Sequence, residues 1–279
     1  MIITAAAIDR PAIAAISATM SVLLPVPLLR TSMITDSLER QGSWLFRWRS
    51  YVLLGFVPII LLTISQPEPV ETYFGHSADE FYEAFCIAIA FAGLGIRALT
   101  AGFVPGGTSG RNTRRQIAES LNTTGMYSLT RNPLYLGNAV TIMGVTMFTQ
   151  SLSLSLVMFL FLIVYLERII AAEERFLTEK FGETYLAWAK EVPAFFPRLS
   201  GWKRPELPFS FRTVLKREHS SMLSILASLF VLDQGREYLT EAQPGFDGAW
   251  IGFLAAGFLV YAVLVWMKKR TRLLHVDGR

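Results

Sequence analysis

Apolar runs long enough to cross a lipid bilayer recur along this chain, and no other feature limits its fold as much. A crossing needs roughly 20 residues at about 1.5 Å each. Apolar stretches fall at 11–29, 51–65, 81–104, 134–149, 152–170, 220–232 and 250–267. Only 17% of the residues are charged, against about 25% in soluble domains. A backbone in hydrocarbon must satisfy its own polar groups, so such runs form helices. The expected fold is all-α, a polytopic integral membrane protein with about seven transmembrane helices. The second, fourth and sixth runs are short, and read as tilted partners or half-spanning hairpins.

Loop charge sets the expected orientation. Arg30, Arg40, Arg47 and Arg49 follow the first run, and Arg111, Arg114, Arg115 and Arg131 follow the third against the single acid Glu119. Lys180, Lys190, Lys203, Arg204 and Lys216 lie in the stretch after the fifth run, and the tail reads KKRTR. The segment 66–80 has Glu68, Glu71, Asp79 and Glu80 but no Lys or Arg. Basic loops stay in the cytoplasm, so the N-terminus is expected outside and the C-terminus in the cytoplasm, in the cell (inner) membrane. The first run, preceded by Asp9 and Arg10 and lacking a small-residue cleavage pattern, reads as a retained helix. The net charge of +4 follows from this bias and from attraction to anionic lipid, with no call for nucleic acid.

The lone Cys86 excludes a disulfide framework and reads as a packing residue. His76, His219 and His275 are widely separated, so no metal site is expected. Three regions are expected: N-terminal transmembrane helices over 1–80, a core with nearly every candidate site feature over 81–200, and a linker with a C-terminal helix pair over 201–279.

Within that core the polar residues gather in two places. The first is TGMYSLTRNPLYLG at 124–137. Pro133 suits the first turn of a helix, Asn132 suits its cap, and Gly137 permits close approach of a backbone or ligand. Arg131 by itself reads as a snorkelling anchor. The second is the helix leaving the membrane after 166, with Glu167, Glu173, Glu174, Phe181, Tyr185 and Trp188, interrupted near Gly182. Before both lies FVPGGTSG at 103–110, a helix terminator followed by Arg111, Arg114 and Arg115. That cluster suits either acidic lipids in general or one anionic headgroup.

Together RNPLYLG and EERFLTEKFGETYLAWAKEVPAFFP resemble the paired motifs of the isoprenylcysteine carboxyl methyltransferase and phospholipid methyltransferase superfamily. The resemblance spans roughly 81–200. It implies an integral membrane enzyme that transfers a methyl group from S-adenosylmethionine, leaving S-adenosylhomocysteine, to a membrane lipid. Asn132, Pro133, Tyr135 and Gly137 would form the cofactor pocket with Glu173 and Glu174, while Tyr185 and Trp188 supply an apolar wall. Arg131 would face the acceptor, helped by Arg111 or Arg115, and Glu174 could draw a proton from an amine acceptor. Asn132 stands where the family usually has histidine, which removes a titratable group. Glu191 stands where prenylcysteine-type members have a basic residue, which argues against a prenylcysteine acceptor, while Arg111, Arg114 and Arg115 could supply the missing positive charge and suit an anionic headgroup such as a lipid phosphate. The loop and extended C-terminus are similar to bacterial members that methylate a lipid A phosphate. A phospholipid amine or prenylcysteine acceptor is the alternative within the family, and a transporter or scaffold the alternative outside it. Surrounding phospholipids are expected partners, and no obligate protein partner is implied.

This reading puts 105–133 and 171–218 on one side of the membrane. Cysteines introduced at Ser109 and Gly201 should therefore be labelled from the same side by an impermeant thiol reagent.

Overall fold

The computed structural model describes residues 37, 40–49, 51–107, 118–240 and 248–279. Arg111, Arg114, Arg115 and the apolar run at 11–29 lie outside them. Every regular element described is helical. A segment over 40–48 precedes α1 (Val57–Ile64) and α2 (Pro69–Phe74); then follow α3 (His76–Phe103), α4 (Pro133–Met147), α5 (Leu152–Phe181), α6 (Glu183–Glu191), α7 (Phe211–Thr240) and α8 (Gly248–Arg270).

The expectation of seven spans is corrected. Among the described residues four stretches are long and apolar enough to cross a membrane: Val52–Phe74, His76–Phe103, Leu152–Phe181 and Gly248–Arg270. The run at 134–149 becomes α4, whose 15 residues reach only about 22 Å. The run at 220–232 lies inside α7, which has 30 residues but also carries Arg217, Glu218, Asp233, Arg236 and Glu237. Leu156, Phe159, Leu160 and Ile163 on α5, with Phe258, Leu259 and Trp266 on α8, stay exposed. Apolar side chains left outward on long helices suit lipid as the surrounding solvent, so the protein is integral to a membrane.

Small residues bring α3 and α4 into close contact. A Cβ on Gly93 would stand 2.5 Å from the Gly137 carbonyl oxygen, and one on Gly144 would stand 2.4 Å from the Ala90 nitrogen. Thr141 Oγ1 donates to the Ala90 carbonyl at 3.1 Å across the same contact. Where lipid removes the hydrophobic drive between helices, such approach and its dispersion contacts hold them together. Gly137 thus serves the approach of a backbone: its own Cβ would meet Arg97 Cγ at 2.6 Å.

Helix α7 packs on this pair. Ile64, Cys86, Ala90, Phe148, Ile225, Leu229 and Leu232 form one buried cluster, and the free Cys86 thiol lies within it. Arg97 clamps the three helices near one end. It donates from Nε and Nη2 to the two Glu218 carboxylate oxygens at 2.8 and 3.0 Å, and from Nη1 to Asn138 Oδ1 at 2.6 Å. Ser221 Oγ donates to Glu218 as well. At the other end Arg236 pairs with Glu68 and donates from Nη2 to the Thr149 carbonyl. The carboxylates of Glu68, Asp79 and Glu83 lie within 4.8 Å of one another there. The Arg236 guanidinium already supplies a cation to that group, and Gln150 Nε2 donates to Asp79 at 2.6 Å.

Gly144→Leu should push α3 and α4 apart and cost about 1–3 kcal/mol. Gly144→Ala should cost less but remain destabilising, because its Cβ meets backbone. Detergent-solubilised protein unfolded by heat or by added SDS measures both.

Candidate functional site

The turn before α4 is built against the segment that follows α6. Gly125, at φ +60°, opens a 3-10 turn through Ser128. Ser128 Oγ donates to the Gly125 carbonyl at 2.7 Å and accepts from Lys203 N at 2.9 Å. The Leu129 carbonyl accepts from Arg198 N, and Arg131 N donates to the Pro193 carbonyl. Thr130, fully buried, donates from Oγ1 toward the Phe195 carbonyl at 2.9 Å and the Ala194 carbonyl at 3.2 Å. Pro193 and Pro197 keep VPAFFP out of a helix, so its carbonyls are free to accept. The ending of the second motif is therefore a scaffold for the first.

Asn132 does not cap α4 with its side chain, as the sequence had suggested. Its Nδ2 instead donates to the Ala194 carbonyl at 2.9 Å, which uses the amide as a fixed donor and needs no titratable group. Pro133 is buried at the first position of α4. The Tyr135 hydroxyl of α4 lies near the Glu173 carboxylate, with the charge of Arg49 also acting there.

Glu174 faces another way. Successive helix residues point about 100° apart, so neighbouring carboxylates on α5 serve different surroundings. Glu174 Oε1 lies 2.8 Å from Arg131 Nη2, close enough for an ion pair but out of line for a hydrogen bond. Arg131 Nη1 donates to the Ala189 carbonyl at 2.7 Å. The expected role of Arg131 facing an acceptor thus meets a guanidinium bound to α5 and α6. Helix α5 ends where Gly182 takes φ +54°, and the turn lets α6 fold back beside Glu174. Tyr185 and Trp188 stack edge-on there, ring centroids 5.6 Å apart, in a buried cluster with Val192 against Leu121, Tyr127, Leu177 and Phe181. Burial pushes the Tyr185 hydroxyl above the ordinary phenol range, and the charge of Glu174 adds to the shift.

Five buried side-chain polar atoms among the described residues have no hydrogen-bond partner: Arg131 Nε, Glu174 Oε1, Tyr185 Oη, Trp188 Nε1 and Arg236 Nε. Four of the five belong to residues that the sequence assigned to the site. Buried polar groups are nearly always satisfied, and an unmet one is costly. Three donors without a partner, beside a Glu174 oxygen held by Arg131 as an ion pair but by no hydrogen bond, lie at the junction of α5, α6 and the Arg131 turn and suit a small polar ligand carrying both charges.

Other expected residues fall elsewhere. Glu167 forms an exposed ion pair with Arg168, and Glu191 one with Lys203 at 3.3 Å. The second pair is locally neutral, so Glu191 presents no uncompensated negative charge. Arg49 and the Arg97–Glu218 pair were missed by sequence reasoning. Arg49 resembled one more interfacial charge, while Arg97 was an ionisable residue inside an apolar run and carried the usual signal of function at such depth.

Residues 84–184, about a third of the chain, match the family model described as phospholipid methyltransferase. This segment is thus similar to phospholipid methyltransferases. Two curated relatives also match. One is the "Cobalt-zinc-cadmium resistance protein CzcN" of Cupriavidus metallidurans, 42% identical over 81 residues. The other is the "Nickel-cobalt-cadmium resistance protein NccN" of Alcaligenes xylosoxydans xylosoxydans, 40% identical over 80 residues. Each match covers 29% of this chain and 37% of the relative. No solved structure matches significantly.

Tyr185→Phe removes a buried hydroxyl that has no partner, so the ligand-free protein should unfold no earlier than the parent and gain up to about 1 kcal/mol. The raised folded-state pKa of Tyr185 stabilises the parent fully below the ordinary value of 10.0, and that contribution is lost as pH rises through the folded value. Thermal unfolding at increasing alkaline pH should show the parent losing more stability than Tyr185→Phe.

Proposed function

We propose that the protein transfers a methyl group from S-adenosylmethionine to a lipid-linked acceptor at the cytoplasmic membrane face, with an anionic headgroup such as a lipid phosphate as the acceptor. The observation that carries the cofactor site is the set of buried polar atoms on Arg131, Glu174, Tyr185 and Trp188 that have no hydrogen-bond partner. An amino-acid moiety carries an ammonium and a carboxylate. Glu174 suits the first, while Arg131 Nε and Trp188 Nε1 suit the second. The Tyr185 and Trp188 rings add faces favourable to a cationic sulfonium.

When bound, S-adenosylmethionine supplies an electrophilic methyl and leaves as S-adenosylhomocysteine. The chain mainly has to orient the two partners and keep water away. Arg131 fixes Glu174 relative to Ala189, and the Thr130 and Asn132 bonds to VPAFFP hold that turn rigid. Glu173, on the face of α5 that meets Tyr135 of α4, points away from Glu174 and so borders the acceptor side. An oxyanion acceptor needs no base, which agrees with Asn132 replacing histidine. Arg111 and Arg115 stay candidates for gathering the headgroup at the membrane surface.

Purified protein should bind S-adenosylmethionine, and Glu174→Ala should weaken binding by about tenfold or more, as expected for loss of a charge-assisted contact. Equal calorimetric affinities for the parent and variant would contradict the assignment. Methyl-labelled cofactor incubated with a total lipid extract should yield a labelled phosphate-bearing lipid by mass spectrometry. Label solely on a phospholipid amine or a prenylated cysteine would overturn the acceptor assignment while leaving methyl transfer intact.

A further inference from the structure

The helical segment over 40–48 presents two different faces. At about 100° per residue, Gly42, Leu45, Phe46 and Arg49 fall on one side, and Arg40, Trp44, Arg47 and Trp48 on the other. Helix α5 takes up the first face. A Cβ on Gly42 would stand 2.1 Å from the Arg168 carbonyl oxygen, and Arg168 Nε donates to Gln41 Oε1 at 3.0 Å. Leu45 and Phe46 pack on the cluster that contains Tyr165, Leu166 and Ile169, and the Arg49 guanidinium lies over the Phe46 ring, 4.4 Å from its centroid. The second face is uncovered. Trp44 is 59% exposed, Trp48 44%, and Tyr51 just beyond the segment 61%; Arg40 and Arg47 are exposed beside them. Ring centroids lie 6.4 Å apart for Trp44 and Trp48 and 5.9 Å apart for Trp48 and Tyr51, so the three rings form one stripe.

Two neighbouring elements fix the level of this stripe. Outward apolar side chains on α5 run as far as Ile163 and Val164, then give way to Glu167 and Arg168, where the segment crosses. At its other end Tyr51 leads directly into Val52–Phe74, a stretch long and apolar enough to span a membrane. The exposed face therefore stands where hydrocarbon meets headgroups, the level that Trp and Tyr prefer. Its charge has one sign. Residues 40–67 hold Arg40, Arg47 and Arg49 but no Asp or Glu, and across the contact Glu167 is already paired with Arg168. We propose that this Arg–Trp face is a docking surface for anionic phospholipid headgroups, with Arg40 and Arg47 on the lipid phosphates and the indole rings below them. Zwitterionic lipids carry the same phosphate oxygens, but their amine cancels the charge, so headgroups with net negative charge are favoured. Nothing in this surface depends on the methyl-transfer reading. Docking there would brace α5 just before Glu173 and Glu174, because Gly42 abuts Arg168.

The test uses full-length protein in detergent micelles with phosphatidylglycerol and phosphatidylcholine of the same acyl chains at equal concentration, and native mass spectrometry reads the bound copies of each. The parent should prefer phosphatidylglycerol, and Arg40→Gln combined with Arg47→Gln should lower that preference by about tenfold or more. Arg40→Lys with Arg47→Lys keeps the charge and should stay within about twofold of the parent. Trp44→Ala with Trp48→Ala should weaken both lipids alike, because indole rings respond to depth and not to headgroup charge. An unchanged preference in the double Gln variant, or equal loss of both lipids there, would overturn the proposal. A second measurement keeps the parent arginines and places the protein in nanodiscs of the two lipids. Bimane attached at Ser43→Cys, on the edge of the exposed face, should be quenched more by a nitroxide on the headgroup than by one near the end of the acyl chain; the native thiol of Cys86 is buried. Insensitivity to both nitroxides would mean that protein, whether a second copy or the run at 11–29, covers this face, and would overturn the proposal. If the double Gln variant does not fold, the Lys variant and the bimane measurement decide.

Discussion

The contact between α3 and α4 is the constraint from which the rest of the architecture follows. Gly93, Gly137, Thr141 and Gly144 allow backbone-to-backbone approach that a Cβ would forbid. Because α4 starts at Pro133, this approach fixes where Arg131 and Asn132 enter the site. Because α3 carries Arg97, the same contact decides where α7 can be clamped. A bidentate pair buried at that depth adds orientation more reliably than net stability. Its removal from one side would leave a charge uncompensated in the interior.

The two neighbouring glutamates on α5 divide the chemistry between opposite surroundings. Glu174 turns to Arg131 and the α6 aromatics, and Glu173 turns to Tyr135 and Arg49. A single helical step separates the Arg131 and aromatic surroundings of Glu174 from the Tyr135 and Arg49 surroundings of Glu173. The donor and acceptor of a transferred group must approach each other from different directions, and adjacent helix positions supply that divergence without any strained backbone. The α5–α6 break at Gly182 is what lets Tyr185 and Trp188 return to Glu174 rather than continue away along the helix axis.

Much of this was legible in the sequence. The helix stop after Phe103, the start at Pro133, the break at Gly182 and the burial of Cys86 each follow from a local rule about proline, glycine or apolar periodicity. The core helices at 81–104 and 152–170 were placed closely because long apolar runs leave few alternatives. The count of spans was not, because hydropathy over a short window cannot tell a crossing helix from a buried one. The run at 134–149 is apolar because α3 covers it, and the run at 220–232 is part of a longer helix with charges at both ends.

Local chemistry in the chain determined the all-helical character, the membrane setting and where the two polar motifs lie, because hydropathy, proline geometry and the paired motifs are properties of neighbouring residues. Folding in three dimensions decided that Arg131 binds Glu174 instead of standing free, and that VPAFFP supplies the carbonyls holding the first motif. It also decided that Arg49 comes near Glu173 and Tyr135, and that Arg97 reaches Glu218 across to α7. Those relations depend on which helices pack together and on how far each has turned about its axis. A one-residue rotation of about 100° would exchange the surroundings of Glu173 and Glu174, and no pattern along the chain records that angle.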